Sequence, residues 1–329
     1  MKKRSKILRM DKNLFIIEKK LDSIKHRVEV VTAEDDNEKT LIKEAEDAEI
    51  IITCYDRIPA SVINSAKKLK GIVKYGVGTD NIDIEAATNK GVLVVNCPDY
   101  GSDTVADHAF ALMICLARKI IEIDRAMKNK AWEWPSPKYL GLDLSRKTIG
   151  IIGFGRIGRA MARRAQGFGM KIIAYDPYVK EEEIKSLDVK LVGIDELLKT
   201  SDFISIHCVL TPETKGMVNE EMFKKMKKTV LFVNVSRGAI ADQNALMKAL
   251  KEKWIAGAGF DVFEKEPLTS DYPLLNMNNV ILTPHLAWYT REAFERCEED
   301  TFRSVLEILD GGIPKNLKNR DVLKHVKFK

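Results

Sequence analysis

Residues 148–160 read TIGIIGFGRIGRA. The apolar run 148–152 has the composition of a buried strand, and the residues from Arg156 onward carry helical spacing. Between them stands Gly153-Phe154-Gly155-Arg156-Ile157-Gly158, a G-x-G-x-x-G turn. As a bare pattern it arises by chance, but placed after a strand and before a helix it has a mechanism. Gly153 permits the tight turn, Gly155 lets the backbone approach a pyrophosphate, and Gly158 lets the helix lie close on its strand. The helix start at Arg156 and Ile157 presents N–H groups and partial positive charge to phosphate. The next strand, MKIIAYD, ends in Asp176, 176 − 158 = 18 positions past Gly158, near the ~20 at which a carboxylate accepts from a ribose diol. A carboxylate there repels a 2′-phosphate, so the expected cofactor is NAD rather than NADP.

The same alternation extends in both directions. Downstream, strands are expected at 171–175, 202–206, 229–235, 255–260 and 279–283, with helices at 156–168, 194–199, 219–227 and 242–252. Upstream, the runs KILRM, EVVTA, AEIIIT, GIVKY and GVLVVN alternate with helical stretches at 11–26, 37–47, 59–68 and 83–90. Such βαβ series imply an α/β protein with parallel sheets, and by themselves fit two sequential domains. A strongly apolar helix is expected over 103–127, then an extended aromatic and proline-rich arm at 129–147, and a last helix over 290–311 stopped by Gly311-Gly312.

Bulk properties narrow the class. A chain of 329 residues suffices for two domains. The net charge of +6 is densest at the two ends, MKKRSK and LKNRDVLKHVKFK, which read as solvated tails; no basic run is interleaved with aromatics, so nucleic acid is not an expected partner. Five scattered cysteines without a C-x-x-C pair indicate neither disulfides nor a metal site and suit a reducing compartment. No apolar run approaches the ~18 residues of a membrane span, so the expected location is cytoplasmic, with no membrane partner.

In a doubly wound sheet, ligands bind beyond the carboxyl ends of the strands. Three downstream strands end in chemistry: TVLFVNV in Ser236-Arg237-Gly238, IAGAGF in Asp261 and then VFEKEP, and NVIL in TPHLAWY, which carries His285. A planar, always-charged guanidinium suits a substrate carboxylate and its neighbouring carbonyl, which fits Arg237. Hydride transfer at a hydroxyl carbon also needs a proton acceptor whose pKa lies near neutrality, and imidazole is that group, which fits His285. A carboxylate beside the imidazole orients it and favours its protonated form. Spacing alone leaves Glu264 and Glu266 open for that role.

Together, GIIGFGRIG, NVSRGAIADQNAL, GFDVFEKEP and TPHLAWY resemble the D-isomer-specific 2-hydroxyacid dehydrogenases over about residues 70–290. The resemblance implies an NAD-dependent, reversible hydride transfer between a 2-hydroxy acid and its 2-keto acid, with Arg237, Glu266 and His285 as the catalytic set. It places the catalytic acid just before the proline, which selects Glu266 and leaves Glu264 a solvated charge. It implies two Rossmann-like or flavodoxin-like domains with the nucleotide domain, 104–291, inserted into a discontinuous substrate domain, 1–103 with 292–329. The cleft between them is then expected to close over substrate, and the chain to form a homodimer through its nucleotide domain. VKYGVGTDNID matches the family's substrate loop, with Gly76 and Gly78 shaping a backbone nest for a carboxylate and Tyr75 and Val77 bordering the substrate. Cys208 and Asp261 fall at cofactor positions, Asp261 toward the nicotinamide carboxamide. His207, His108, His26 and His325 match no catalytic role. HLAWY is most similar to the C-terminal binding proteins, so an NAD(H)-responsive interaction module is the rival reading, and Trp288 either packs on a substrate tail or fills the interior. A further reading is D-3-phosphoglycerate dehydrogenase lacking a regulatory domain, in which Lys74 or Arg57 meets the substrate phosphate.

Overall fold

The structure is a computed structural model that describes residues 4–14 and 16–325. The chain divides into two compact units, one formed by Met1–Gly101 with Thr290–Lys329 and the other by Ser102–Tyr289.

The first unit opens with β1 (Ser5–Arg9), α1 (Glu18–Ser23), β2 (Val28–Thr32), α2 (Glu38–Ala45), β3 (Ile50–Thr53), α3 (Ala60–Ser65), β4 (Gly71–Lys74), α4 (Ile84–Asn89) and β5 (Leu93–Val95). The strands form one parallel sheet in the order β2-β1-β3-β4-β5, the flavodoxin-like order. β3, β4 and β5 are buried along their whole length, as expected of a sheet covered on both faces. The helix expected over 11–26 shrinks to α1. Asp11 is drawn out of it because its buried carboxylate accepts from the N–H groups of Cys54, Tyr55 (2.6 Å) and Asp56 (3.1 Å) beyond β3.

The second unit contains α5 (Ser102–Ala117), α6 (Ile120–Lys130), β6 (Thr148–Ile152), α7 (Arg156–Gly167), β7 (Lys171–Tyr175), β8 (Lys190–Leu191), α8 (Ile194–Thr200), β9 (Phe203–Ile206), α9 (Glu220–Lys225), β10 (Leu231–Asn234), α10 (Gln243–Lys251), β11 (Gly257–Phe260) and β12 (Val280–Leu282). Its parallel sheet runs β12-β11-β10-β9-β6-β7-β8, so chain order reverses at β6 and β9, the switch point of a Rossmann sheet. The single helix expected over 103–127 is broken in two. Lys119 takes a left-handed conformation (φ 53°), and the carbonyl of Ala117 accepts from the Leu142 N–H (2.8 Å) rather than continuing the helix. The arm between α6 and β6 leaves Trp132 and Trp134 exposed, in edge-on contact with each other.

The first unit is completed by α11 (Arg291–Leu309). The Thr290 side chain caps it by accepting from the Ala293 N–H (3.2 Å), and Gly311 (φ 77°) turns the chain out of it. α11 lies so close to β4 that a Cβ on Gly71 would stand 2.6 Å from Ile308 Cδ1. The expectation of a solvated C-terminal tail fails for residues 317–322. Lys318 N–H donates to the Val94 carbonyl (2.8 Å), while the buried Asn319 side chain accepts from Val94 N–H (2.8 Å) and donates to the Val92 carbonyl (2.9 Å). This stretch therefore satisfies the open edge of β5, a group of donors and acceptors that would otherwise invite pairing with another chain. Residues 1–3 and 326–329 of the expected tails lie outside the described residues.

Candidate active site

The glycine turn joins β6 to α7. Gly153 has φ 91°, and a Cβ there would stand 2.3 Å from the Cys208 nitrogen, so only glycine fits. A Cβ on Gly158 would stand 2.2 Å from the Gly153 carbonyl oxygen. Gly155 differs, because nothing lies within 4 Å of its Cβ direction. The N–H groups of Gly155 and Ile157 meet no acceptor among the described residues. Open space beside unpaired donors at the start of a helix is what a pyrophosphate needs. Asp176, just past β7, holds the turn from the other side, its carboxylate accepting from Phe154 N–H (2.8 Å) and Tyr178 N–H (2.9 Å). Burial pushes the Cys208 thiol up to about 11, which keeps it a neutral wall beside the turn. Its neighbour His207 is pushed down to about 3 by burial and bonds through Nε2 to Ser205 Oγ (2.8 Å).

The other constellation stands at the carboxyl edge of β10, β11 and β12, which are paired in register through Asn234, Phe260 and Leu282. Beyond β10, the fully buried Asn234 shapes the Arg237 turn: its amide donates to the Arg237 carbonyl (2.9 Å) and accepts from Ser236 N–H (3.0 Å). Asn234 escaped the sequence reading, although an Asn at a strand end two residues before Ser-Arg-Gly is a turn-forming signal. Gly238 then passes against the next loop, where a Cβ would stand 2.0 Å from the Phe263 carbonyl carbon. That loop carries Glu266, whose Oε1 accepts from Phe263 N–H (2.7 Å) and whose Oε2 meets His285 Nδ1 at 2.7 Å. Glu264 is exposed and makes no such contact, so the residues left equal by spacing are separated by geometry.

His285 sits at φ 56° and Asp261 holds it there. The Asp261 carbonyl accepts from His285 N–H (2.7 Å), while its fully buried carboxylate accepts from Thr283 Oγ1 (2.6 Å), Leu286 N–H (2.9 Å) and Ala287 N–H (2.8 Å). Expected at a nicotinamide, Asp261 thus spends most of its acceptor capacity on the histidine loop. Trp288 is buried, edge-on to Tyr289.

In the first unit, the loop after β4 separates its expected contributors. The Tyr75 side chain is buried, with its hydroxyl donating to the Phe294 carbonyl (3.4 Å). Val77 is exposed. The N–H groups of Gly76, Val77 and Gly78 donate to no backbone acceptor among the described residues. Lys74 is buried and donates to the Cys54 carbonyl and to Asn81 Oδ1 (3.0 Å), so it is committed to the fold and does not reach for a phosphate.

Residues 110–287 match the profile of the D-isomer specific 2-hydroxyacid dehydrogenase, NAD binding domain. The chain belongs to this family. A glyoxylate reductase of Korarchaeum cryptofilum is 44% identical over 291 residues, covering 88% of both chains. Among solved structures, the TT0316 protein from Thermus thermophilus superposes with a TM-score of 0.86 at 35% identity, covering 95% of this chain and 99% of that one. The D-lactate dehydrogenase from Aquifex aeolicus, complexed with NAD and lactic acid, gives a TM-score of 0.85 at 32% identity, covering 97% and 98%. The chain is an NAD-dependent oxidoreductase acting on 2-hydroxy and 2-keto acids, and its glycine turn, open beside Gly155 and bordered by Asp176, fits the dinucleotide. No described helix is long and apolar enough to cross a membrane.

Proposed function

We propose that the protein reduces a small 2-keto acid of the glyoxylate type, with Arg237, Glu266 and His285 as its catalytic residues. The single observation that carries the assignment is the 2.7 Å contact between His285 Nδ1 and Glu266 Oε2 at the sheet edge where Arg237 also emerges. Similarity to glyoxylate reductases over most of the chain supports the substrate class.

When bound, NADH supplies the hydride delivered to C2. The Arg237 guanidinium binds the substrate carboxylate and the carbonyl oxygen, holding C2 in place. His285 Nε2 gives its proton to the carbonyl oxygen as that oxygen becomes a hydroxyl, and takes it back in the reverse direction. Glu266, on Nδ1, fixes the ring orientation and stabilises the imidazolium. Asp176 selects NAD through the ribose diol. A pure interaction module has no use for a carboxylate locked onto this imidazole, so the contact favours turnover over the C-terminal binding protein-like reading.

The working form we propose is a homodimer joined through the second unit, where Ile120, Ile121, Trp132, Trp134 and Leu140 are all exposed. Five free thiols suit a reducing cytoplasm. Steady-state rates over a panel of 2-keto acids, phosphohydroxypyruvate included, with NADH and with NADPH, test the function. His285→Ala should lower kcat by at least about 100-fold while leaving NADH affinity within a few fold; a variant with wild-type turnover removes the acid–base assignment.

A further inference from the structure

α5 crosses the sheet on the face of β11, and it comes close: a Cβ on Gly259 would stand 3.2 Å from Leu112 Cβ and 3.3 Å from Leu116 Cδ1. One helical turn before Leu112, His108 therefore stands over the carboxyl edge of β11 and β12. Its Nε2 lies 2.9 Å from Thr283 Oγ1 and 3.7 Å from Asp261 Oδ1. We propose that His108 is a positioning residue for His285, acting through Thr283 and Asp261. This rests on the assignment of His285 as the proton carrier.

The direction of each hydrogen bond follows from the groups. The Thr283 hydroxyl has one hydrogen, and at 2.6 Å from a carboxylate oxygen it donates to Asp261. The Thr283 oxygen is then the acceptor for His108, so His108 Nε2 carries a hydrogen. A chain results in which His108 donates to Thr283, Thr283 donates to Asp261, and Asp261 gathers the N–H groups of Leu286 and Ala287 (2.9 and 2.8 Å) on its carboxylate and that of His285 (2.7 Å) on its carbonyl. The Thr283 hydroxyl both accepts and donates, so the bond from His108 strengthens the one Thr283 gives to Asp261, and that bond fixes the carboxylate on which the histidine loop hangs. The foot is where strain is held. His285 has φ 56°, a conformation that a side chain other than glycine keeps only when its surroundings over-determine it. Thr283 also has a second, longer acceptor in the Phe260 carbonyl (3.4 Å). A hydrogen on its oxygen from His108 holds the hydroxyl toward Asp261.

The consequence is that His285 and the ring nitrogen it offers to substrate depend on a histidine from another element that never touches substrate. His108→Leu removes the donor; His108→Gln keeps an amide N–H near the Nε2 position; Thr283→Val breaks the chain at the second link. In His108→Leu, kcat should fall by about tenfold to 100-fold, the scale of a misplaced reacting group. KM for the keto acid and Kd for NADH should stay within about threefold, and the deuterium isotope effect on kcat, measured with NADH labelled at the transferred position, should rise as the chemical step becomes limiting. His108→Gln should recover kcat to within about threefold of wild type. Thr283→Val should reproduce the loss, and the double variant should be no worse than the lower single variant, because the two act as one unit. A His108→Leu enzyme with unchanged kcat and isotope effect, or a His108→Gln enzyme as impaired as His108→Leu, overturns the proposal. If wild type turns over and His285→Ala does not, such a result refutes only the role of His108. A wild type inert on every keto acid refutes the functional reading, and this inference with it.

Discussion

Replacing Gly238 by alanine tests whether the three catalytic groups are held in one frame. Gly238 follows Arg237 directly, and the Cβ it lacks would stand 2.0 Å from the Phe263 carbonyl carbon and 2.3 Å from the Glu264 nitrogen. Both neighbours are backbone, so no rotamer change relieves the clash. Ordinary contact begins near 3.4 Å, and the two loops must part by about 1.4 Å. One of them carries Arg237; the other carries Glu266, tied to it by Phe263 N–H and tied onward to His285. A displacement of about 1 Å at reacting groups costs on the order of 100-fold, so kcat/KM for the keto acid should fall by about that factor. The overpacking itself should cost about 1–3 kcal/mol of stability. The glycine turn at Gly153 and Asp176 lies on other strands, so NADH affinity, followed by fluorescence quenching, should change by less than about threefold. Kinetics, NADH titration and thermal unfolding on one preparation separate these effects. If Gly238→Ala folds, binds NADH and keeps wild-type kcat/KM, the Arg237 turn and the Glu266 loop are not in functional register, and the catalytic assignment loses its geometric basis.

Asp176→Ala should lower the ratio of kcat/KM with NADH to that with NADPH by about tenfold or more, since a carboxylate and a 2′-phosphate a few ångströms apart repel by several kcal/mol before screening. NADH affinity should fall too, because Asp176 also secures Phe154 and Tyr178; an unchanged ratio would strip the residue of its selective role. Asp56 gives a pH prediction: burial and the nearby Asp11 push its carboxyl up to about 6. A raised carboxyl binds protons more tightly in the folded chain than in the unfolded one, so its contribution is fully present below about pH 4 and is lost as pH rises through about 6. Asp56→Asn should therefore gain about 1 kcal/mol over wild type at pH 7 to 8, after screening of a half-exposed group, and nothing at pH 4. Urea titrations showing a constant difference at both pH values would contradict that charge accounting.

The nucleotide half of the chain was readable because its chemistry is local. A pyrophosphate on a helix start demands glycines at fixed spacing, and the acid at the next strand end follows at a set distance, so the stretch from Gly153 to Asp176 could be read directly. That Arg237 and His285 would stand at one sheet edge was readable for a related reason: a parallel sheet turns residues far apart in sequence into neighbours whenever both end strands. The choice between Glu264 and Glu266 was not open to such reasoning, since both lie on one loop past β11. What separates them is the Phe263 N–H that turns Glu266 toward His285.

The failures share a cause. The helix expected through Lys119 breaks because Leu142, more than twenty residues on, takes the carbonyl of Ala117. The C-terminal stretch carries the charge of a tail, but Asn319 has its partners more than two hundred residues earlier, on β5 and just before it. β8 is two residues long, too short for any period to show. Tyr75 stands in the expected loop with its side chain turned inward, and a motif specifies position along the chain, not the direction of a rotamer. His108 and Asp261 show the same limit within the site. Hydrophobic spacing placed His108 on a helix, and only the closeness of α5 to Gly259 sets that histidine over Thr283. Residues that touch ligand belong to short motifs because the ligand's shape constrains them together; residues that hold those motifs in place are constrained by packing between elements, and packing is where the chain's one-dimensional pattern gives out.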